Sequence, residues 1–107
     1  MRLVFKRGDT FSVPIRFEVD NVPIEITNDM EFSCDIMNVK CLIIDSAVVT
    51  PYADQVTNKG FLLLTVADTS LWEIGVHKLD IKYVLNGITK HSQDLEFNVV
   101  RTITVWV

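Results

Sequence analysis

From Phe11 to Val19 the odd positions are apolar throughout, Phe11, Val13, Ile15, Phe17 and Val19, while Ser, Pro, Arg and Glu occupy the even ones. A period of two puts successive side chains on opposite faces of an extended chain, so this segment must be a strand with one face in a core and one in water. Met30, Phe32, Cys34 and Ile36 repeat the pattern against Glu31, Ser33 and Asp35. Fifteen Val, ten Ile and nine Thr among 107 residues extend the bias to the whole chain, because β-branched side chains suit a pleated, half-buried surface. The expected fold is therefore all-β.

A chain of 107 residues has room for one domain, residues 1–107, which at this size buries roughly 65% of its unfolded surface. No Pro/Gly/Ser-rich linker or internal repeat divides it. The longest apolar runs, Cys41 to Ile44 and Phe61 to Leu64, are four residues long. A membrane helix needs roughly 20, so no membrane partner is expected. The first residues meet charge and a turn too early for a secretory signal. Ten basic against 14 acidic side chains, scattered rather than striped, argue against a nucleic-acid partner. With 49% hydrophobic residues, some apolar surface should remain for a partner to cover.

Further strands are expected at Lys40 to Ile44, as a short edge segment at Val48-Val49, and at Phe61 to Val66. Tyr52 to Lys59 reads as the main surface loop, Gly8-Asp9-Thr10 and Asp20-Asn21 as turns. Pro14 belongs on an edge strand, at a bulge or on an unpaired side, since it has no ladder N–H. Asp68 can cap a short helical turn near 68–73, with Gly75 taking a positive φ at its end, so that Leu71 and Trp72 close one end of the core. In the last hairpin a two-residue Asn86-Gly87 loop would set Leu79 opposite Asp94. A three-residue loop restores the alternation: Leu85 to Gly87 pairs Tyr83 with Thr89, Leu79 with Gln93 and His77 with Leu95, and the alternative, Asn86 to Ile88, pairs Leu79 with Leu95 and His77 with Phe97. The C-terminus stays β-prone to Val107, and a bare apolar strand there must dock in its own sheet or in another subunit.

Residues suited to chemistry do not converge. His77 and His91 fall in one hairpin, on one mainly apolar face but several residues apart, and read as partly buried strand residues rather than a catalytic or metal pair. Asp80, Asp94, Glu96 and Asp45 could form a carboxylate pair by type alone. Asp9, Asp45 and Asp68 lack EF-hand spacing and read as turn or capping groups. Cys34 and Cys41 flank an expected turn at Met37-Asn38 that would bring them side by side. Two buried, reduced thiols are favoured over a bridge. Tyr52, Trp72 and Trp106 could form a sugar-stacking platform, although Trp72 fits a core position better. Arg7-Gly8-Asp9 matches an integrin-binding tripeptide, but a turn explains it. No enzymatic activity, cofactor or metal is expected.

Four stretches carry a family resemblance: Arg7-Gly8-Asp9-Thr10-Phe11, Asp20 to Thr27, Gly60 to Thr69, and Leu71 to Gly75 running on to Leu79-Asp80-Ile81. Together they resemble the small immunoglobulin-like β-sandwich proteins and domains of tailed bacteriophages and prophages, and in outline the N-terminal domains of some baseplate proteins. Asn21 stands where a glycine is common in that pattern. The resemblance implies an immunoglobulin-like antiparallel β-sandwich of about 7–9 strands. It also implies a virion structural role in tail, baseplate or capsid, after assembly in the bacterial host cytoplasm, through contacts with other phage subunits and as a homo-oligomer. The residues expected to touch partners are Tyr52, Ile103, Val105, Trp106 and Val107. The rival reading is a carbohydrate-binding or adhesive module using Tyr52 and Trp106.

Overall fold

The computed structural model describes residues 3–92 and 94–103. Its strands are β1 (Leu3–Lys6), β2 (Phe11–Arg16), β3 (Glu18–Val19), β4 (Val22–Pro23), β5 (Glu31–Met37), β6 (Ile43–Pro51), β7 (Phe61–Val66), β8 (Gly75–Leu85), β9 (Ile88–His91) and β10 (Leu95–Val100). The protein is all-β and mostly antiparallel, and no helix occurs among the described residues. Strands follow the order β1-β10-β8-β5-β6-β7-β2, with β9 beside β8 and β3-β4 as a separate ribbon. β1 and β2, at the two ends of this path, are joined by one turn, and Phe5 meets Phe11 edge to face at 5.3 Å. The sheet thus curls into a nearly closed barrel-like shell.

Alternation sets which face each strand buries. In β5, Cys34 and Ile36 are buried while Glu31, Ser33 and Asp35 are exposed. In β7 the run Phe-Leu-Leu-Leu-Thr-Val buries every second residue, Leu62, Leu64 and Val66. Cys34, Ile36, Leu64 and Val66 join Phe11, Trp72, Leu79, Ile81, Phe97 and Val99 in one core. At its lower end Phe5, Phe11, Trp72 and Phe97 pack ring against ring at 5.2–5.8 Å.

Pro14 lies on an edge, since β2 pairs only with β7. The Phe17 N–H donates to Gly60 O, so by antiparallel alternation Ile15 and Val13 point their N–H groups at β7, and Ser12, Pro14 and Arg16 point away. Pro14 therefore withholds a donor from the open side and costs the ladder nothing.

Several expectations are corrected. The β1–β10 pair is parallel, Leu3 opposite Phe97 and Lys6 opposite Val100. No helical turn forms at 68–73: a single Trp72 N–H to Thr69 O bond of 3.1 Å closes a turn, and Leu71 points into solvent at 93% exposure. Asp68 does accept the Ser70 N–H at 3.0 Å, and Gly75 does take a positive φ of 132°. Lys40 to Leu42 is loop, and Val48-Val49 lies within the long β6, not in a separate edge segment. β6 serves two ladders, pairing with β5 up to Ala47 and with β7 from Val48.

The last hairpin combines two registers. Asn86 and Gly87 have φ of 53° and 77°, which makes the two-residue loop, and Leu85 pairs with Ile88. The loop Leu85 to Gly87 does not form. Ser92 then donates its N–H to Ile81 O and accepts the Ile81 N–H on its hydroxyl, at 2.8 and 2.9 Å. From Leu95 the register has slipped by one, with Leu79 opposite Leu95 and His77 opposite Phe97. A bulge beyond Ser92 thus keeps the favoured turn and still returns the apolar residues to the core.

Thr69, fully buried, ties the corner to the first turn: its hydroxyl donates to Asp9 O at 2.7 Å and accepts the Gly8 N–H at 2.9 Å. Thr69→Val keeps the shape and strands both groups, and is expected to cost about 1–2 kcal/mol in chemical denaturation.

Candidate interaction surfaces

The residues considered for chemistry are scattered. His77 is fully buried, stacked on Trp72 at 5.7 Å, with Nδ1 3.1 Å from Gly75 O and Nε2 without a hydrogen-bond partner. His91 is exposed and opposite Lys82, so the two histidines do not share a face. Asp80 and Asp94 line one open depression of about 230 Å³ with Asp35 and His91. Glu96 instead lies 3.8 Å from Lys78, and Asp45 accepts the Trp72 Nε1–H at 3.1 Å. Among the described residues no group of three or more His, Cys, Asp or Glu could hold a metal ion. Asp54 accepts the Val56 and Thr57 N–H groups, and Asp68 that of Ser70. These bonds hold both carboxyls below the usual range.

The cysteines are apart. β5 and β6 pair Cys34 with Ala47, not with Cys41, because the loop runs from Asn38 to Leu42 around the Asn38 side chain, which accepts the Lys40 and Leu42 N–H groups. Both thiols are free. Cys34 is buried and Cys41 exposed, against the expectation that both would be covered. Burial, then the charges of Asp80 and Asp35, push the Cys34 thiol from 9.0 up to about 12. The folded state therefore holds its proton where the unfolded state releases it. Stability from this group is complete below pH 9 and falls above it by at most about 1.4 kcal/mol per pH unit. Urea midpoints measured between pH 8 and 10.5 are expected to fall more steeply for the parent than for Cys34→Ala. A thiol reagent should label Cys41 in the native protein and Cys34 only on unfolding.

The aromatic platform is not assembled. Trp72 is core, and Tyr52 is half-buried at the base of its loop, 5.5 Å from the Phe61 ring. Gln55 straps that loop down, its Oε1 accepting the Ile26 and Gly60 N–H groups and its Nε2 donating to Tyr52 O. Of the other expected contact residues, Ile103 is 89% exposed, while Val105, Trp106 and Val107 lie outside the described residues. β10 itself is paired on both sides, by β8 and β1, so the last strand is no bare edge as far as Val100.

Exposed apolar side chains gather instead at two ends of the shell. At one end, the loop carrying exposed Val39, Leu42 and Ile43 lies beside the corner carrying exposed Leu71 and Ile74, since Lys40 and Glu73 approach to 3.8 Å and a Cβ on Gly75 would strike Val39. At the other, two hairpins with positive-φ turns, Asp20-Asn21 and Asn86-Gly87, enclose a cleft of about 370 Å³. Phe17, Tyr83, Ile24 and Met30 line it, with Val19 and Ile88 exposed there. Sequence reasoning missed this cleft, although the two turn dipeptides were its visible signal. Its walls come from β3-β4 and β8-β9, which no local pattern brings together. No helix among the described residues is long and apolar enough to cross a membrane. Comparison with protein-family models and with curated proteins finds no match.

Proposed function

We propose that the chain is an immunoglobulin-like β-sandwich that serves as a structural subunit of a tailed phage or prophage particle, acting by assembly with other subunits and with itself. The strand orders β2-β7-β6 and β10-β8-β5 match the B-E-D and G-F-C orders of an immunoglobulin sandwich, with the first half of β6 added beside β5 as in variable-type domains. The hallmark disulfide of antibody domains has no counterpart, and the large indole sits at the corner after β7.

The observation that carries the assembly role is the grouping of exposed apolar residues at opposite ends of the shell, next to a core that is already filled. The particle assignment rests on the turn and corner stretches that resemble phage domains. Co-purification of the tagged chain with tail, baseplate or capsid components from phage-producing cells tests the reading. A chain that stays monomeric at high concentration and retains no particle protein would refute it. Of the two aromatics on which the carbohydrate-binding alternative relies, Tyr52 is half-buried beside Phe61 and Trp106 lies outside the described residues.

A further inference from the structure

We infer that the seam between β9 and β2 accepts an extended segment of a partner polypeptide, uncharged and alternately apolar along its length with a basic flank, which pairs with β9 as an added strand. This rests on the assembly reading and specifies how one partner is held. β1 covers β10 but not β9, and among the described residues no strand pairs with β9 on its outer side. In the Asn86-Gly87 hairpin, Leu85 is paired with Ile88 next to the two-residue turn, and the Ser92 N–H donates to Ile81 O, so Ile88, Lys90 and Ser92 face β8. By alternation, Thr89 and His91 turn their N–H and C=O groups outward.

Across the seam stands β2, whose main chain at Arg16 also points into it and whose Pro14 withholds a donor. Of the two edges that face the seam, β9 is the one whose outward donors and acceptors no proline interrupts, and another main chain presents complementary groups at the 3.4 Å strand rise. The opening holds about 560 Å³, enough for roughly four extended residues at strand spacing. Ile15, Leu62 and Ile81 are among its lining residues, so side chains turned toward them should be apolar, while Asn21 and His91 give the opening polar walls as well. At the rim Arg16 is bound to Glu18 at 2.7 Å, which leaves Asp20 as the rim's acidic group and favours a basic flank.

The probe is a synthetic peptide of six alternating Thr and Val residues with Lys at each end, compared with the same peptide carrying Pro at its third Val. Amide exchange and chemical shifts are read on the full chain. Thr89 and His91 amides should exchange fast alone and slow at least tenfold with the alternating peptide, but not with the Pro peptide. Thr89→Pro removes an outward donor and no ladder bond, so it should weaken binding at least tenfold while β5 and β7 shifts stay unchanged. If Thr89→Pro disturbs those shifts, the comparison of the two peptides on the parent decides alone. Thr89 and His91 amides already protected without peptide, protection only along β1, or no protection would overturn the inference. The assembly reading would survive each of these, since co-purification tests it separately.

Discussion

Phe11→Ala is expected to lower unfolding free energy by about 3–5 kcal/mol, a large part of the roughly 5–15 kcal/mol that holds a domain of this kind together. Phe11 is fully buried on β2, and its ring meets Phe5 at 5.3 Å, Phe97 at 5.2 Å and Trp72 at 5.5 Å. It is therefore where one edge of the sheet path closes on the other. Truncation removes its apolar area and leaves a cavity walled by three rings on three other segments, too rigidly placed to collapse together. Urea unfolding followed by Trp fluorescence reads the loss directly, since Trp72 lines the same cluster. Leu71→Ala, one residue from that indole but in solvent, should change stability by less than about 0.5 kcal/mol. Equal effects of the two substitutions would mean that the aromatic cluster is not the core.

Gly60→Ala is expected to cost about 2 kcal/mol or more, through backbone rather than side-chain packing. Gly60 has φ of 82°, and a Cβ there would stand 2.6 Å from Phe17 O and 3.2 Å from Ile24 O. Those two carbonyls cannot retreat cheaply. Phe17 N–H donates to Gly60 O and Phe17 O accepts the Ile24 N–H, so this one point anchors the β3-β4 ribbon to the sheet. The added methyl should loosen the ribbon first. Hydrogen exchange should therefore accelerate at Phe17 and Ile24 by more than at Leu64, whereas a uniform acceleration would show only global destabilisation. Gly8→Ala, with φ of 96° but nothing within 4 Å of the new carbon, should cost less.

Much of the fold is legible because burial writes itself into a period of two. β5 and β7 could be placed from Phe32, Cys34 and Ile36 and from Gly60 followed by Phe61, since each strand has one wet and one dry side or a turn residue at its start. What could not be read is where the period gives no guidance. The parallel contact of Leu3 to Lys6 with Phe97 to Val100 joins the chain's two ends, and nothing local in either segment names the other. Of two short readings, Lys40 to Ile44 and Val48-Val49, only Ile43-Ile44 of the first joins the second in a single strand, whose start is displaced by the Asn38 loop. The last hairpin misled because one register was assumed along its full length. Asn86-Gly87 dictates pairing at the tip, core burial of Leu79 and Phe97 dictates it at the base, and the bulge beyond Ser92 reconciles them.

Of the residues expected to touch partners, Ile103 is exposed and Tyr52 is half-buried against Phe61. Of the cleft only the two turn dipeptides showed in the sequence, and of the seam nothing, because both are made by strands distant in sequence and by edges left over once the ladders are formed.

The pairing of β1 with β10 has a kinetic consequence. During synthesis β1 emerges well before β10, its ladder partner among the described residues, so Phe5 stays without its β10 neighbours until Val99 has been made. Closing the shell must then wait on closure of the long loop between Lys6 and Leu95, which slows this step of folding. A nascent chain halted before Leu95 would display Phe5 and Phe11 to chaperones rather than to each other's finished shell.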